Sequence, residues 1–414
     1  MTVTWGLPRR LAFRFGLLYL GLYELPWILK RPLLPGGRKL AESIGSLEPV
    51  VRWFGHHVLR LQGSMPKEYP AGGDTLFEWV RSAFLVAVAL VVAGVWTILD
   101  GKRRSHPLLA DALRTYVRYG LAFTMMSYGV MKILPVQFAP PGLGMLLEPY
   151  GDSSPMGLLW TFMGASRSYS IACGVVELLG AVLLLWRRTT FIGASLLVVA
   201  TANVLLLNLS YGVPVKLYSA HLLVMALFLA APDGLRVAAS VLGRKPVTLP
   251  ASASSAVLPY PALERARPWA KALLITWCSF ATLFVTVRLG IDSARPQPPA
   301  LFGVWLVDAF EPAPGPGAAW HHVVVNEWGE LMVERLDDER VWFESHRDPG
   351  SPTLELTSKA QNLTLACAQA DPDHLTLEGD IAGSHVRMQL HRVKKAFLLT
   401  TRGFRWIQEE GFNR

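Results

Sequence analysis

Apolar positions in this chain are bunched into long runs. Residues 82–99 carry no charge over 18 positions, 189–209 and 272–287 are equally clean, and 169–186 is interrupted only by Glu177. A bilayer core asks for about 20 largely apolar residues in a helix, so each run predicts a membrane span. Residues 113–135 predict another, with Lys132 near one end. Residues 217–231 predict a short one that stops at the breaker Pro232-Asp233. Residues 11–29 predict a seventh, interrupted by Arg14, Glu24 and Pro26. They lack a small-residue cleavage site, which predicts a retained helix and not a removable signal peptide. After the first span, residues 40–61 place Val50, Val51, Phe54, Val58 and Leu61 at helical spacing, the pattern of an interfacial helix. In the loop after the third span, Ser154 fits an N-cap and Pro155 a first helical position, ahead of a short apolar segment with Trp160 and Phe162.

Beyond residue 300 the period changes from helical to alternating. Short runs at 304–307, 322–325, 331–334, 341–344, 353–356, 363–367, 375–378, 386–390 and 396–400 read as strands. Asn326-Glu327-Trp328-Gly329 and Ala382-Gly383 are hairpin turns between them. Evenly spaced strands without intervening helices predict an antiparallel sheet that closes on itself, a small barrel or sandwich. The fold class is thus a membrane α-helical bundle of about seven transmembrane helices, followed by a soluble antiparallel β-domain. The domains fall at 1–112 (two helices and the amphipathic outer loop), 113–233 (a four-helix membrane core), 234–295 (a Pro/Ala/Ser-rich linker and the seventh helix) and 296–414 (the β-domain).

Composition agrees: 51% of residues are apolar and 17% charged, against about 25% charged in ordinary soluble domains. The net charge of +9 is not a nucleic-acid signature, because the basic residues cluster between spans. Arg9-Arg10, Lys102-Arg103-Arg104, Arg187-Arg188 and the group Arg236, Arg244, Lys245, Arg265 and Arg267 all fall on one side of a seven-span chain. The loop at 136–165 has no Lys or Arg. The positive-inside rule then puts the N-terminus in the cytoplasm and the β-domain outside it. The basic outer loop at 30–74 is discordant. Cys173, Cys278 and Cys367 are far apart and form no CxxC pair, which argues against a disulfide framework or a thiolate metal site.

Ionisable groups within spans are costly and are functional candidates by default. Lys132 shares its helix face with Tyr128 and Gly129. Glu177 is surrounded at i±3 and i±4 by Cys173, Gly174, Gly180 and Ala181, a face that lets another helix approach closely. Antiparallel third and fourth spans would bring Lys132 and Glu177 into direct or one-water contact. His221, Lys216, Asn208 and Asn203 lie toward the same outer end of the bundle. At 100° per residue the two asparagines are about 140° apart and face different neighbours. With Ser154 and Trp160 these residues define either an outer polar pocket or an architectural ion-pair cluster. The histidines of the β-domain (His321, His322, His346, His374, His385 and His391) show no ligand spacing, so no metal site is expected there.

The stretch from about 118 to 233 resembles the DoxX/DoxD-like membrane proteins of bacteria. It has Tyr128-Gly-x-x-Lys132, a Pro-rich loop, the Glu-bearing fourth span and an Asn-containing fifth span leading to Tyr211 and Lys216. Residues 149–163, Arg187-Arg188-Thr189, Val213-Pro-Val-Lys216 and the ending 403–414 are similar to uncharacterised bacterial proteins with the same bundle and tail. Gly303-x-Trp305 resembles the opening of lipocalin-type barrels. These resemblances imply an inner-membrane location, a four-helix core and a lipophilic ligand handled by an accessory protein. They also imply an alternative role as subunit of a quinone-linked oxidoreductase. No flavin, haem or iron–sulfur motif occurs, so quinone is the sole cofactor candidate and electrons would come from a redox partner protein. A scaffold for a membrane complex is the third reading. Membrane lipid is the expected partner and nucleic acid is not.

Overall fold

In the computed structural model the described residues are 5–30, 39, 47–65, 73–100, 105–243, 261–292, 299–313, 319–327, 329–347, 351–359, 361–381, 383–403 and 408. The linker at 247–261 up to residue 260, the basic triplet at 102–104 and most of the ending at 403–414 lie outside them. The chain divides into two compact units, one of residues 1–137 with 168–292 and one of 138–167 with 293–414.

The first unit is helical: α1 (Leu7–Lys30), α2 (Glu48–His57), α3 (Leu76–Leu99), α4 (Pro107–Ile133), α7 (Arg167–Leu184), α8 (Thr190–Ser210), α9 (Lys216–Val241) and α10 (Pro261–Asp292). Five of its helices, α3, α7, α8, α9 and the segment Pro268–Ile291 of α10, are long and apolar enough to cross a membrane. Helix α3 begins with a side-chain N-cap. Thr75 Oγ1 accepts the Glu78 amide at 3.3 Å, which satisfies one otherwise orphaned donor. The amphipathic stretch forms α2 only from Glu48 to His57. Val51 is buried against Phe77 and Val80, whereas Val50 and Val58 are exposed.

Helix α9 corrects one expectation. It does not stop at Pro232 but runs on to Val241. Proline removes one donor and crowds the preceding turn, yet the helix survives when the freed groups find other partners. Beside this turn the Arg114 guanidinium of α4 donates to the Leu229 carbonyl at 3.0 Å and the Asp233 carboxylate at 3.3 Å, which holds the continued helix against α4.

The bundle core joins Leu20 of α1, Val117, Leu121 and Met125 of α4, Ala181 and Leu184 of α7, Leu197 of α8 and Met225 and Leu229 of α9. Small residues set two of the closest approaches. A Cβ built on Gly174 would lie 2.5 Å from the Gly129 carbonyl oxygen, and one on Gly193 2.8 Å from that of Gly180. Backbones therefore touch where α7 meets α4 and α8, as close helix packing in lipid demands.

The second unit is built on eight strands in one closed antiparallel barrel: β1 (Gly303–Glu311), β2 (Trp320–Val325), β3 (Glu330–Arg335), β4 (Arg340–His346), β5 (Thr353–Thr357), β6 (Asn362–Asp371), β7 (His374–Ile381) and β8 (Ser384–Arg392). Each strand pairs with the next, and β1 closes on β8. The ninth expected strand, 396–400, is instead a short helix over Leu398–Thr401. With β1 paired to both β2 and β8, the closed barrel has no free edge for another strand. Inward positions alternate down the strands as a continuous apolar filling: Trp305, Val323, Leu331, Phe343, Leu356, Leu365, Leu377 and Met388 are all buried. Outside the barrel, Val304, Val324 and Met332 are covered by α5 (Leu143–Leu147). Helix α6 (Pro155–Ala165) also belongs to this unit and starts as expected, with Ser154 Oγ accepting the Gly157 amide at 3.0 Å.

In the β7–β8 hairpin, hydrogen bonds to Asp380 and then to Glu378 hold the His385 proton above the ordinary imidazole range. The tie is complete below the free histidine value of about 6.5 and fades as pH rises through the raised one. An NMR titration should place the His385 midpoint above that value, and Asp380→Asn should move it down. In the bundle, Gly174→Ala should cost about 1–3 kcal/mol by overpacking, read as thermal unfolding in detergent. Gly94→Ala should cost nothing, because a Cβ there meets no atom within 4 Å.

Candidate functional site

Lys132 sits in the last turn of α4 and Glu177 midway along α7, where Gly129 and Gly174 let the two helices touch. The ammonium donates to both carboxylate oxygens, at 2.8 and 2.7 Å, and both side chains are buried. Tyr128, one turn before Lys132, presents its ring 5.6 Å from the same ammonium. Each charge is thereby compensated where water does not reach, which makes removal of one partner the damaging change.

The other candidate residues form separate partnerships. His221 of α9 takes Tyr19 of α1 as partner, with Nε2 2.6 Å from the phenol oxygen, and its Nδ1 faces the Leu217 carbonyl at 2.7 Å. Tyr23 stacks on the imidazole at 3.7 Å, nearly parallel. The His221 ring is therefore committed to α1 and its own helix, and Glu177 to Lys132. Asn208 is buried and donates to Ser219 Oγ at 3.1 Å, while Asn203 is exposed on α8. Lys216 reaches the Val213 carbonyl at 3.0 Å and Asp74 at 3.6 Å. Trp160 meets Phe138 edge-on at 5.3 Å and, with Ser154, belongs to the barrel-containing unit.

Three groupings were not anticipated. Asp74 caps α9 from 142 residues away, accepting the Lys216 and Leu217 amides at 2.7 and 2.9 Å. Such a cap offsets the positive end of the helix dipole. Arg14, fully buried in α1, donates to Thr97 at 2.8 Å and Asp100 at 3.0 Å, lies 3.1 Å from His106 Nε2, and stacks over Trp96. Arg14 was read only as an interruption of the first span; its charge in an apolar run was the available signal. In the barrel, His322 Nδ1 lies 2.7 Å from Glu334 Oε2, with the His321 ring beside it at 4.1 Å and tilted by 51°. Burial would raise the Glu334 carboxyl, but hydrogen bonds from Arg340 and His322 outweigh it and hold it below the ordinary carboxylate range.

A specific contact joins the start of β1 to the end of β8. Gly303 has φ +143°, a conformation that favours glycine, and a Cβ there would meet Arg392 at 3.1 Å. The Arg392 guanidinium lies 4.5 Å above the buried Trp305 ring and donates to the Phe302 carbonyl, while Trp305 Nε1 donates to the Leu301 carbonyl at 2.8 Å.

Over 118 residues the chain is 34% identical to YwoB, an uncharacterised protein of Bacillus subtilis (strain 168); the match covers 28% of this chain and 73% of that protein. Through that stretch the chain belongs to the family of YwoB. No family model matches the chain, and no solved structure matches it.

A double-mutant cycle tests the buried pair. Lys132→Met and Glu177→Gln should each cost about 3–5 kcal/mol, and the double variant less than the sum. Additive losses in detergent unfolding would show that the two charges do not couple.

Proposed function

We propose that this chain is a multi-pass protein of the bacterial inner membrane, with a DoxX-like four-helix core and a lipocalin-like extracytoplasmic barrel. In this reading it binds or handles a lipophilic small molecule as an accessory factor. The observation that carries the proposal is the closed eight-stranded barrel, filled by apolar side chains, with Arg392 over Trp305 at one end. Barrels of this size hold either packed side chains or one small ligand. A lipophile would enter from the end opposite Trp305 and displace part of the apolar filling.

Seven spans are the arrangement that the helix contacts favour. Asp74, just before α3, caps the start of α9, so both starts belong on one face. Among the helices between them α3, α7 and α8 are apolar enough to cross. An even number of crossings is needed, and the 27-residue α4 supplies the fourth. Helix α1 runs antiparallel beside α3, with Arg14 at Thr97 and Tyr23 at Arg81, and so traverses the same depth. Both helices carry charges that face protein (Arg14, Glu24, Arg118 and Lys132 are buried), which lowers their hydropathy without exposing a charge to lipid.

Native mass spectrometry with lipid extraction of the gently solubilised protein should find a lipophile at about one per chain. Val323→Trp and Leu356→Trp, which fill the barrel, should reduce its occupancy at least about tenfold. Clean protein from several mild detergents would remove the basis of the proposal.

A second reading, a quinone-linked oxidoreductase subunit, is favoured by the Tyr19–His221 hydrogen bond under the Tyr23 ring, a phenol–imidazole pair able to pass a proton. Quinol formation with a reduced sulfur donor and partner protein should then fall in Tyr19→Phe and His221→Ala. Rates equal to wild type would exclude the pair.

A further inference from the structure

The barrel carries an irregularity that the strand pattern did not announce. Along β2 and β3, Trp320 pairs with Arg335 but His322 pairs with Glu334, so His321 is an extra residue on one strand. A bulge of this kind breaks strict alternation and re-aims a side chain. Here it lets two consecutive imidazoles lie side by side, centroids 4.1 Å apart and planes tilted by 51°, instead of on opposite sides of the sheet. Glu334 lies opposite on β3, and one ligand atom from each of the three residues falls within 4.8 Å of the others.

We propose that His321, His322 and Glu334 form a binding site for a first-row divalent cation of the zinc type on the outer face of the barrel. Two imidazoles and a carboxylate are a ligand set suited to such ions. Ligand atoms bonded at about 2.1 Å to a tetrahedral centre are about 3.4 Å apart. The His322–Glu334 contact of 2.7 Å would open slightly and the looser pairs would close by roughly 1 Å.

The surroundings are built as a support. Arg340 donates to Glu334 Oε1 twice, at 2.9 and 3.1 Å, which leaves Oε2 turned toward the histidines. Arg340 also donates to the Leu147 carbonyl at 3.1 Å and lies 3.7 Å from Glu148. Two carboxylates thus surround one guanidinium, and the local charge without an ion is negative by one. Outer partners that fix a ligand's orientation are a regular part of metal sites. The fourth coordination position would be left to water or to an anionic or carbonyl ligand. Other barrel histidines differ: His374 and His391 lie opposite each other on β7 and β8 but turn to separate carboxylates, Asp371 and Asp308, and the exposed His385 faces Asp380 and Glu378.

The full-length protein in detergent, stripped with chelator, should take up zinc from a zinc sulfate titration at about one ion per chain. Affinity should fall at least about tenfold in His321→Ala and in His322→Ala, and stay unchanged in His385→Ala. Uptake by wild type that neither substitution weakens, or no uptake at micromolar zinc, would overturn the site. A measurement on wild type guards against misfolded variants. Zinc should protect His321 and His322 from diethylpyrocarbonate while His374 and His385 keep reacting. Equal labelling of all four with and without saturating zinc would overturn it equally.

Discussion

A charge buried among apolar helices must find its partner within the protein, because the surroundings supply no water to solvate it. Much of the helical unit follows from that demand. Lys132 and Glu177 fasten α4 to α7, and the glycines at 129 and 174 exist where the helices must be near enough for a lysine to reach a carboxylate. Arg14 draws the end of α3 and the start of α4 to α1. Arg114 ties α4 to the irregular turn of α9, and Asp74 ties the entry of α3 to that of α9. Between these ties the packing is apolar and non-directional, so the polar contacts fix which helix lies beside which.

The barrel answers the related backbone constraint. Each strand of a sheet presents donors and acceptors on both sides, and closure of β1 on β8 satisfies the last of them. Alternation then decides the rest, sending Trp305, Phe343 and Leu365 inward and His322, Glu334 and Arg340 to the outside.

Eight of the nine expected strands were legible because an alternating run bounded by turn residues has few other readings. The run at 396–400, Ala-Phe-Leu-Leu-Thr, is apolar without alternation, and Leu398–Thr401 forms a helical turn instead. The long helices were legible from apolar length. The course of α9 past Pro232 was not, since a proline in an apolar run reads as a stop, and the Arg114 contacts beside it come from a helix 118 residues earlier in the chain. The Lys132–Glu177 pair could be read because each charge interrupts an apolar run and has small neighbours. The cap at Asp74 and the His321–His322–Glu334 cluster could not. Both depend on register between segments that local sequence does not specify, and a bulge is recognised only once its partner strand is known.

The Arg14 contacts also set a schedule for synthesis. Its partners lie 83, 86 and 92 residues further along the chain. At about 5–20 residues per second the ribosome needs roughly 4–18 s to deliver them. During that interval α1 carries a guanidinium that no later helix has neutralised. A lone α1 released into lipid would bear that cost, whereas α1 retained at the insertion machinery until α3 emerges would not. The first two long helices are therefore expected to leave that machinery as an antiparallel hairpin, joined through Arg14 before the rest of the bundle exists.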